Sequence, residues 1–290
     1  MHRFLLNPFT IVTCIARSTT AFSNTFILQA VASAVNGKSL TAVLALAFAG
    51  YLSLHPLLLF PPLILLCYYR QARNTPKDKA PNIISFIITH TIFATSVLGA
   101  LLYTSYLISA SWQFLTATYG TYLTLPDLTP NVGLWWYFFT EMFDSFRSFF
   151  LAVFWLHTLS YLPGITIRFQ KQPLFAILVL IGICAIFIPY PSVGDVALFL
   201  GLLPLYRHIF PLMTYGFVTT AVMLYATLLG PAFYHLWVYA GSGNANFFFA
   251  ITLVWSLGLT VLVADTLTSG LKDELENERP ELIGKELKAI

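Results

Sequence analysis

Charged residues are scarce in this chain, and their scarcity limits what the protein can be. Asp, Glu, Lys and Arg together make up 9% of the 290 residues, whereas hydrophobic residues make up 58%. A soluble domain keeps about a quarter of its residues charged. The mean hydropathy of +0.76 leaves too few polar side chains to cover a water-facing surface. The composition therefore excludes an ordinary soluble domain and predicts a protein surrounded by lipid.

Cysteine and histidine are also few, and they are dispersed. The three cysteines lie far apart in apolar segments, without the spacing of a metal or redox site. The six histidines form neither an HxxxH nor an HExxH pattern, which argues against a zinc enzyme. Basic residues are scattered over short loops, so the sequence offers no patch for nucleic acid. These patterns predict no catalytic residue, no metal site and no cofactor.

Long apolar runs, by contrast, are abundant. Eight or nine stretches approach the length of about 20 residues that crosses a bilayer. We find no internal repeat and no linker that would divide them. The expected fold class is all-α, a polytopic transmembrane helix bundle, with residues 1–270 forming one multi-spanning membrane domain. Residues 271–290 are predicted to form a charged cytosolic tail.

Lys and Arg fall in alternate gaps between these stretches, and this pattern assigns a side to each loop. Cytosolic loops of membrane proteins carry an excess of Lys and Arg. The basic segments, which we place in the cytosol, are Lys38, Arg70–Lys79, Arg168–Lys171, Arg207 and the tail. The loops without Lys or Arg, which we expect on the opposite face, are Ser111–Asn131, Pro189–Asp195 and Ala240–Asn246.

A few charged residues fall inside or close to the apolar segments, where charge is costly. Glu141, Asp144 and Arg147 recur at three-residue spacing, which predicts one face of a single helix. We interpret them as a neutralised polar stripe facing the bundle, with Asp144 and Arg147 paired. The alternative is the polar wall of a cavity that opens to the non-cytosolic side. Asp265, near the cytosolic end of the last span, is expected to reach the interface in a structural role.

Two further aspartates lie in turns on the predicted non-cytosolic face. Asp127 belongs to the string PDLTPN, and Asp195 ends the string PSVGD. Both are compatible with helix caps or turn formers, because an Asp side chain accepts hydrogen bonds from nearby backbone N–H groups. The alternative is a catalytic base or metal ligand, as a glycosyltransferase would require.

The loop from Ala240 to Phe248 carries the most informative polar residues. It is small and uncharged, and it leads directly into a helix. A helix N-terminus presents free backbone N–H groups, and Asn side chains both donate and accept hydrogen bonds. Asn244 and Asn246 could therefore bind a phosphate, sugar hydroxyls or an ammonium. In the alternative interpretation Asn246 caps the last helix and Asn244 shapes the turn.

Four strings in sequence carry a resemblance to a known family. They are NPFTI at Asn7–Ile11, PDLTPN at Pro126–Asn131 followed by WYFFTEMF at Trp136–Phe143, YPSVGDVAL at Tyr190–Leu198, and HLWVYAGS at His235–Ser242 with Asn244, Asn246 and Phe247 after it. In order and spacing they resemble the PIG-U family, a membrane subunit of the glycosylphosphatidylinositol (GPI) transamidase. The resemblance extends over nearly the whole chain.

The resemblance implies a function and a location. It implies a non-catalytic subunit in the endoplasmic-reticulum membrane, with other transamidase subunits, the GPI glycolipid and membrane lipids as partners. Cleavage of the precursor would belong to a separate caspase-like cysteine subunit, and the fold would resemble that of membrane GPI mannosyltransferases. Asn244 and Asn246 match paired asparagines that would bind the GPI head. The expected lining of the lipid cavity is Asp127, Asn131, Glu141 and Phe247.

The chain also departs from the family, and two rival functions stay open. Family members carry further membrane helices before the Asn-Pro string, so we expect this chain to be a fragment or a shortened homologue. The first rival is a mannosyltransferase-like enzyme that uses a dolichol-phosphate sugar. The second is a lipid transporter or scramblase. Broken helices around Asn7-Pro8 and Pro61-Pro62 would support that function.

Overall fold

The fold is helical throughout the part of the chain that can be described. A computed structural model describes residues 2–76 and 81–282. Helix accounts for 82% of the structure, and no strand occurs in these residues. The chain forms two compact units, Met1–Gly201 and Leu202–Ile290. Lys77 and Lys79 of the predicted basic loop, and residues 283–290 of the predicted tail, lie outside the described residues.

The first unit holds most of the helices. In chain order these are α1 His2–Leu5, α2 Pro8–Ile15, α3 Thr20–Val35, α4 Ser39–Leu52, a 3₁₀ turn His55–Leu59, α5 Phe60–Asn74, α6 Ile83–Ser109, α7 Gln113–Leu115, a π-helical turn Thr116–Gly120, α8 Thr121–Thr124, α9 Trp135–Thr140, α10 Asp144–Arg168, α11 Pro173–Phe187 and α12 Val193–Leu202. The second unit contains a 3₁₀ stretch Leu203–Leu212, α13 Gly216–Tyr234, a π-helical turn His235–Tyr239, α14 Ala245–Glu278 and a short turn Pro280–Leu282.

The expected membrane helix bundle is confirmed. Five helical runs among the described residues are long and apolar enough to cross a bilayer: Ile83–Ser109, Asp144–Arg168, Val193–Leu212, Gly216–Tyr239 and Ala245–Glu278. The apolar helices α3, α4 and α11 are shorter, at 16, 14 and 15 residues. A straight helix needs about 20 residues to span the hydrocarbon core. The eight or nine predicted segments therefore include helices that reach only part of the way.

Helix α11 forms the centre of the first unit. Pro173 occupies its first turn, where a missing N–H costs nothing. Its residues are apolar on every side, and nearly all are buried. A helix that is hydrophobic all round belongs inside a bundle. Helix α10 is the opposite case, because only 11% of its most apolar window is buried. Its large exposed side chains, such as Phe146, Phe149 and Leu156, suit a lipid environment.

In the second unit, α13 and α14 pack against each other, and a buried carboxylate fixes the start of α13. Asp265 of α14 is 5% exposed. Its two carboxylate oxygens accept hydrogen bonds from the backbone N–H groups of Thr214 (3.0 Å) and Tyr215 (2.8 Å). These two bonds are the structural role that was expected for Asp265, and its expected place at the membrane interface stays a prediction. The carboxylate stays inside because it satisfies two N–H groups ahead of α13 that have no intrahelical partner.

The last helix is longer than the sequence suggested. We expected the final span to end at Gly270, but α14 continues to Glu278. Lys272 and Glu276 lie one turn apart on this extension, with 3.9 Å between Nζ and Oε1. Such i,i+4 pairs support a helix that has left the apolar region. The first part of the predicted tail is therefore a continuation of the helix.

Candidate functional site

The loop Ala240–Asn246 folds back tightly on the π-helical turn before it. Ser242 and Gly243 both donate their backbone N–H to the carbonyl oxygen of Leu236, each at 3.0 Å. Gly241 has a φ of +63°, a conformation that glycine adopts without strain. π-Helical turns occur frequently at functional sites. The turn at His235–Tyr239 was not predicted, because no sequence signal distinguishes it from α-helix.

Asn244 is the N-cap of α14. In our alternative interpretation Asn246 was the cap and Asn244 shaped the turn. Its side-chain Oδ1 accepts a hydrogen bond from the backbone N–H of Phe247 at 3.3 Å. Asn246 lies within the first turn of the helix. Both asparagine side chains are exposed, and no residue from 240 to 246 is charged. The loop therefore presents two neutral amides at the N-terminal end of a 34-residue helix.

Aromatic side chains surround the base of this loop. The ring of Phe248 lies 5.2 Å from Tyr234 and 6.3 Å from Trp237, centroid to centroid. Phe247, which we expected in a cavity wall, is 54% exposed and lies 5.9 Å from the ring of Phe233. Aromatic faces next to amides suit a group that is polar at one end and apolar at the other.

In the first unit, the loop that contains Asp127 and Asn131 uses its polar side chains to fold itself. Asp127 Oδ1 accepts hydrogen bonds from the hydroxyl (2.5 Å) and the backbone N–H (2.9 Å) of Thr129. These two bonds, the hydroxyl first, hold the pKa of Asp127 below its ordinary value of 3.8. Asn131 Oδ1 accepts from the backbone N–H of Gly133 at 2.7 Å. Both residues are turn formers in this structure, as the preferred interpretation of Asp127 predicted.

Two of the loops expected on the non-cytosolic face meet in the first unit. The hydroxyl of Tyr190 donates to the backbone oxygen of Asp127 at 2.8 Å. Gly133 approaches Pro191 so closely that an added Cβ would lie 2.6 Å from its Cδ. The strings PDLTPN and YPSVGD, which are about 60 residues apart in the chain, therefore form one contact region.

Glu141, Asp144 and Arg147 do not share one helix face, so the stripe that we predicted is wrong. Helix α9 ends at Thr140 and α10 begins at Asp144, which leaves Glu141 outside α10. The side chains of Glu141 and Asp144 are exposed. Arg147 donates instead to the backbone oxygen of Leu125 and lies 5.5 Å from the ring centroid of Phe139. The three-residue spacing misled us because an extended residue, Phe143, interrupts the helix.

Asp195 is a buried capping residue, and sequence reasoning missed its neighbours. Its Oδ2 accepts from the backbone N–H (2.7 Å) and the hydroxyl (2.9 Å) of Ser192. Its Oδ1 lies 3.7 Å from Nε2 of His55. His55, Asp195 and Cys184 line a cavity of only about 10 Å³. A single water needs about 10–15 Å³ by this measure, so the thiol has no room for a substrate beside it.

The predicted site residues thus fall into two groups. Asn244, Asn246 and Phe247 lie together in the second unit, and Asp127 and Asn131 lie together in the first. The idea that both loops frame one opening stays a prediction. Among the described residues there is no group of three or more His, Cys, Asp or Glu that could hold a metal ion.

Comparisons with known proteins agree with the resemblance seen in the sequence. A family model described as "GPI transamidase subunit PIG-U" matches residues 1–255. The "GPI-anchor transamidase component PIGU" of Homo sapiens is 39% identical over 272 residues, which cover 93% of this chain and 62% of that protein. The "GPI transamidase component GAB1" of Saccharomyces cerevisiae is 38% identical over 278 residues, which cover 96% of this chain and 68% of that protein.

Proposed function

The chain belongs to the PIG-U family, and from this premise we propose that it acts as a non-catalytic subunit of GPI transamidase. In this role it binds the GPI lipid and positions it for attachment to the C-terminus of a precursor protein. The site of action is the endoplasmic-reticulum membrane, and the partners are the other transamidase subunits, the GPI glycolipid and membrane lipids.

The observation that carries the proposal is the exposed pair of amides at Asn244 and Asn246. A glycolipid head offers hydroxyl and phosphate groups, and neutral amides at a helix N-terminus can bind both. A fixed charge would be costly near the membrane, and this loop has none. The half-buried rings of Tyr234 and Trp237 and the exposed ring of Phe247 offer an apolar surface to the lipid part of such a ligand.

The surroundings of the cysteines also support a role without a nucleophile of its own. Cys67 and Cys184 are buried. Cys14 is exposed, but the described residues that line the cavity beside it include no His, Asp or Glu that could act as a base. A reactive cysteine needs a thiolate, a base and access. Cys184 has His55 and Asp195 on the same small cavity, but that cavity is about 10 Å³ and admits no peptide or lipid group. A binding role therefore requires fewer assumptions than a catalytic one.

The test replaces both asparagines by Ala in the full-length gene. If each amide contributes a hydrogen bond of about 0.5–1.5 kcal/mol, the double variant should bind the lipid about 5- to 160-fold more weakly. The measurements are surface display of a GPI-anchored reporter and co-purification of the transamidase subunits. We expect display to fall while the complex stays assembled. Unchanged display would remove the loop from the binding site.

Because Asn244 also caps α14, a matched variant must separate capping from binding. Ser is as good an N-cap as Asn, whereas Ala is not. Asn244→Ser should therefore keep the helix start but lose the side-chain amide. If display falls in Asn244→Ser as it does in Asn244→Ala, the amide is used for binding. Full display in Asn244→Ser would mean that Asn244 serves only the helix, and the proposal would then depend on Asn246.

One observation favours the transporter among the two rival functions. The 3₁₀ stretch Leu203–Leu212 is kinked, because Tyr206 within it has non-helical angles (φ −106°, ψ 31°). Broken helices are common in transporters. The test measures lipid flux in vesicles that contain this protein without partner subunits, and flux there would support the transporter. No flux, together with impaired GPI transfer in the asparagine variants, would support the lipid-binding role proposed here.

A further inference from the structure

A second cavity in the first unit lies apart from the sites described so far. It has a volume of about 100 Å³ and lies between α1, α2, α3 and the start of α12. Its polar lining comes from three threonines, one asparagine and one cysteine, namely Thr10, Thr13, Thr25, Asn24 and Cys14. A single water needs about 10–15 Å³ by this measure. The space therefore suits several waters or one polar group of the size of a small polyol.

Two polar atoms on this lining are buried without a hydrogen-bond partner. Asn24 is 3% exposed, and its Nδ2 donates to the backbone oxygen of Gly194 at 2.8 Å. That bond fixes the orientation of the amide, since a carbonyl oxygen can only accept. The remaining atom, Asn24 Oδ1, has no partner, and neither has the hydroxyl of Thr10. Buried polar atoms in native proteins are nearly always paired with protein groups or water, so these two atoms are available to a water or to a ligand that enters the cavity.

The hydrogen-bonding capacity of the lining specifies the ligand's chemistry. Thr13 and Thr25 donate their hydroxyls to the backbone oxygens of Phe9 (2.6 Å) and Ala21 (2.8 Å), so each retains only an acceptor. Asn24 Oδ1 is an acceptor as well, and the hydroxyl of Thr10 can donate or accept. Among the described residues that line the cavity, none has a charged side chain. An anion would find too few donors and a cation no counter-charge, whereas a hydroxyl group finds partners for its proton and its lone pairs.

We propose that this cavity binds a neutral polyhydroxylated group, through hydrogen bonds to Thr10 and Asn24. The group can belong to a free polyol or to the polyol headgroup of a lipid, and both present the same vicinal hydroxyls. This inference stands independently of the proposed function, since the cavity contains none of the residues of the Asn244 loop.

The chain contains its own reporter for occupancy of the cavity. Cys14 lines the cavity and is exposed, whereas Cys67 and Cys184 are buried. An alkylating reagent such as N-ethylmaleimide should therefore reach the Cys14 thiol, and a bound ligand should shield it. Alkylation at Cys14 can be quantified by peptide mass spectrometry even if a longer form of the protein has other cysteines.

The experiment measures the alkylation rate of Cys14 in the full-length protein in nanodiscs. One arm adds free myo-inositol to phosphatidylcholine nanodiscs, and the other replaces part of the phosphatidylcholine by phosphatidylinositol. At a probe concentration about ten times its dissociation constant, the rate should fall about tenfold. Protection by free myo-inositol supports a soluble polyol, and protection by phosphatidylinositol alone supports a lipid headgroup. Equal rates in all samples would mean that the cavity holds only water, and would overturn the proposal.

Thr10→Val tests the chemistry, because valine keeps the shape of threonine but removes the hydroxyl. We expect this variant to lose most of the protection while its alkylation rate without ligand stays that of the wild type. Thr91→Val is the matched control, since Thr91 is exposed on α6 and its hydroxyl bonds only to Ile87 within that helix. If Thr10→Val is protected as well as Thr91→Val, Thr10 does not bind the ligand and the proposed site is wrong. Should Thr10→Val fold poorly, Asn24→Leu provides the same comparison at the second unpartnered atom.

Discussion

The two regions in which we expected a binding site use their polar residues in opposite ways. In the first unit, the turns at Pro126–Asn131 and Tyr190–Asp195 direct their side chains to neighbouring backbone groups and to each other. In the second unit, the loop Ala240–Asn246 is held mainly by backbone hydrogen bonds to Leu236, and its amides remain exposed. The first region has the properties of a scaffold, and the second those of a surface that can bind a ligand.

The comparison shows that residue type alone does not distinguish these two uses. Asp127, Asn131 and Asn244 all accept a hydrogen bond from a backbone N–H two or three residues away. What differs is the number of further contacts that hold the turn. In the paired turns, a tyrosine hydroxyl and a proline ring join the two segments, so each side chain supports a larger structure. We expect substitutions there to lower stability, and substitutions in the Asn244 loop to lower function.

Asp195→Ala should produce the largest difference between the two regions. The carboxylate is 6% exposed, accepts two hydrogen bonds from Ser192 and faces His55. Its removal leaves buried donors without an acceptor, which should lower the free energy of unfolding by about 2–4 kcal/mol. The measurement is thermal or denaturant unfolding of the protein in detergent micelles.

Asn244→Ala is the counterpart of this variant in the other region. It removes an exposed N-cap, which costs about 1 kcal/mol. Its effect on stability should therefore be clearly smaller than that of Asp195→Ala. Equal losses of stability in the two variants would break the comparison, because the Asn244 loop would then be as much a part of the scaffold as the paired turns are.

Gly133→Ala should have an intermediate effect, by pushing the paired turns apart. The added methyl group would lie 2.6 Å from Cδ of Pro191 and 2.8 Å from Oδ1 of Asn131. A proline ring cannot rotate away, so we expect a loss of about 1–3 kcal/mol. At Gly241 an added Cβ meets nothing within 4 Å, and Gly241→Ala should cost only the strain of its positive φ, about 1 kcal/mol.

A glycine inside a helix serves as the control for both variants. Gly164 lies in α10, and an added Cβ there contacts nothing within 4 Å. Gly164→Ala should leave stability unchanged or raise it by about 0.5–1 kcal/mol, because alanine favours helix. If Gly133→Ala behaves like Gly164→Ala in unfolding experiments, the contact between Gly133 and Pro191 does not hold the two turns together.

The sequence predicted the fold class because hydrophobic length is a strong signal, and it predicted single turns because capping is local. Asp127 and Asp195 were expected as caps or turn formers, and both accept nearby N–H groups. The sequence could not predict where a helix is interrupted. The extended residue Phe143 separates Glu141 from Asp144 and Arg147, although their spacing fits a continuous helix.

Contacts between distant segments were beyond prediction for a different reason. Asn24 donates to the backbone of Gly194, 170 residues later, and no local pattern around Asn24 indicates that partner. The same holds for His55 and Asp195, which meet only because the turns after α4 and α11 lie side by side. The position of Asn244 and Asn246 at the start of the last helix, in contrast, could be predicted, because an uncharged loop ahead of an apolar helix is a local feature; their role in binding stays a prediction.

The smallest effect that we predict is a pH dependence confined to the paired turns. The bonds from Thr129 hold the pKa of Asp127 below its ordinary value of 3.8. A carboxyl with a lowered pKa stabilises the folded turn above its ordinary pKa, and this contribution is lost as the pH falls through the lowered value. The protection of the Thr129 amide, which is the slowing of its exchange relative to the intrinsic rate at each pH, should therefore be high at neutral pH. Protection should decrease only below about pH 4.

In Asp127→Asn the acceptor cannot titrate, and protection of the Thr129 amide should no longer change in this range. The N–H of Phe247 should show no such transition in either protein, because its acceptor is the amide of Asn244. A transition at Phe247 would mean that acid loosens both regions together, and the paired turns would then have no separate role as a scaffold.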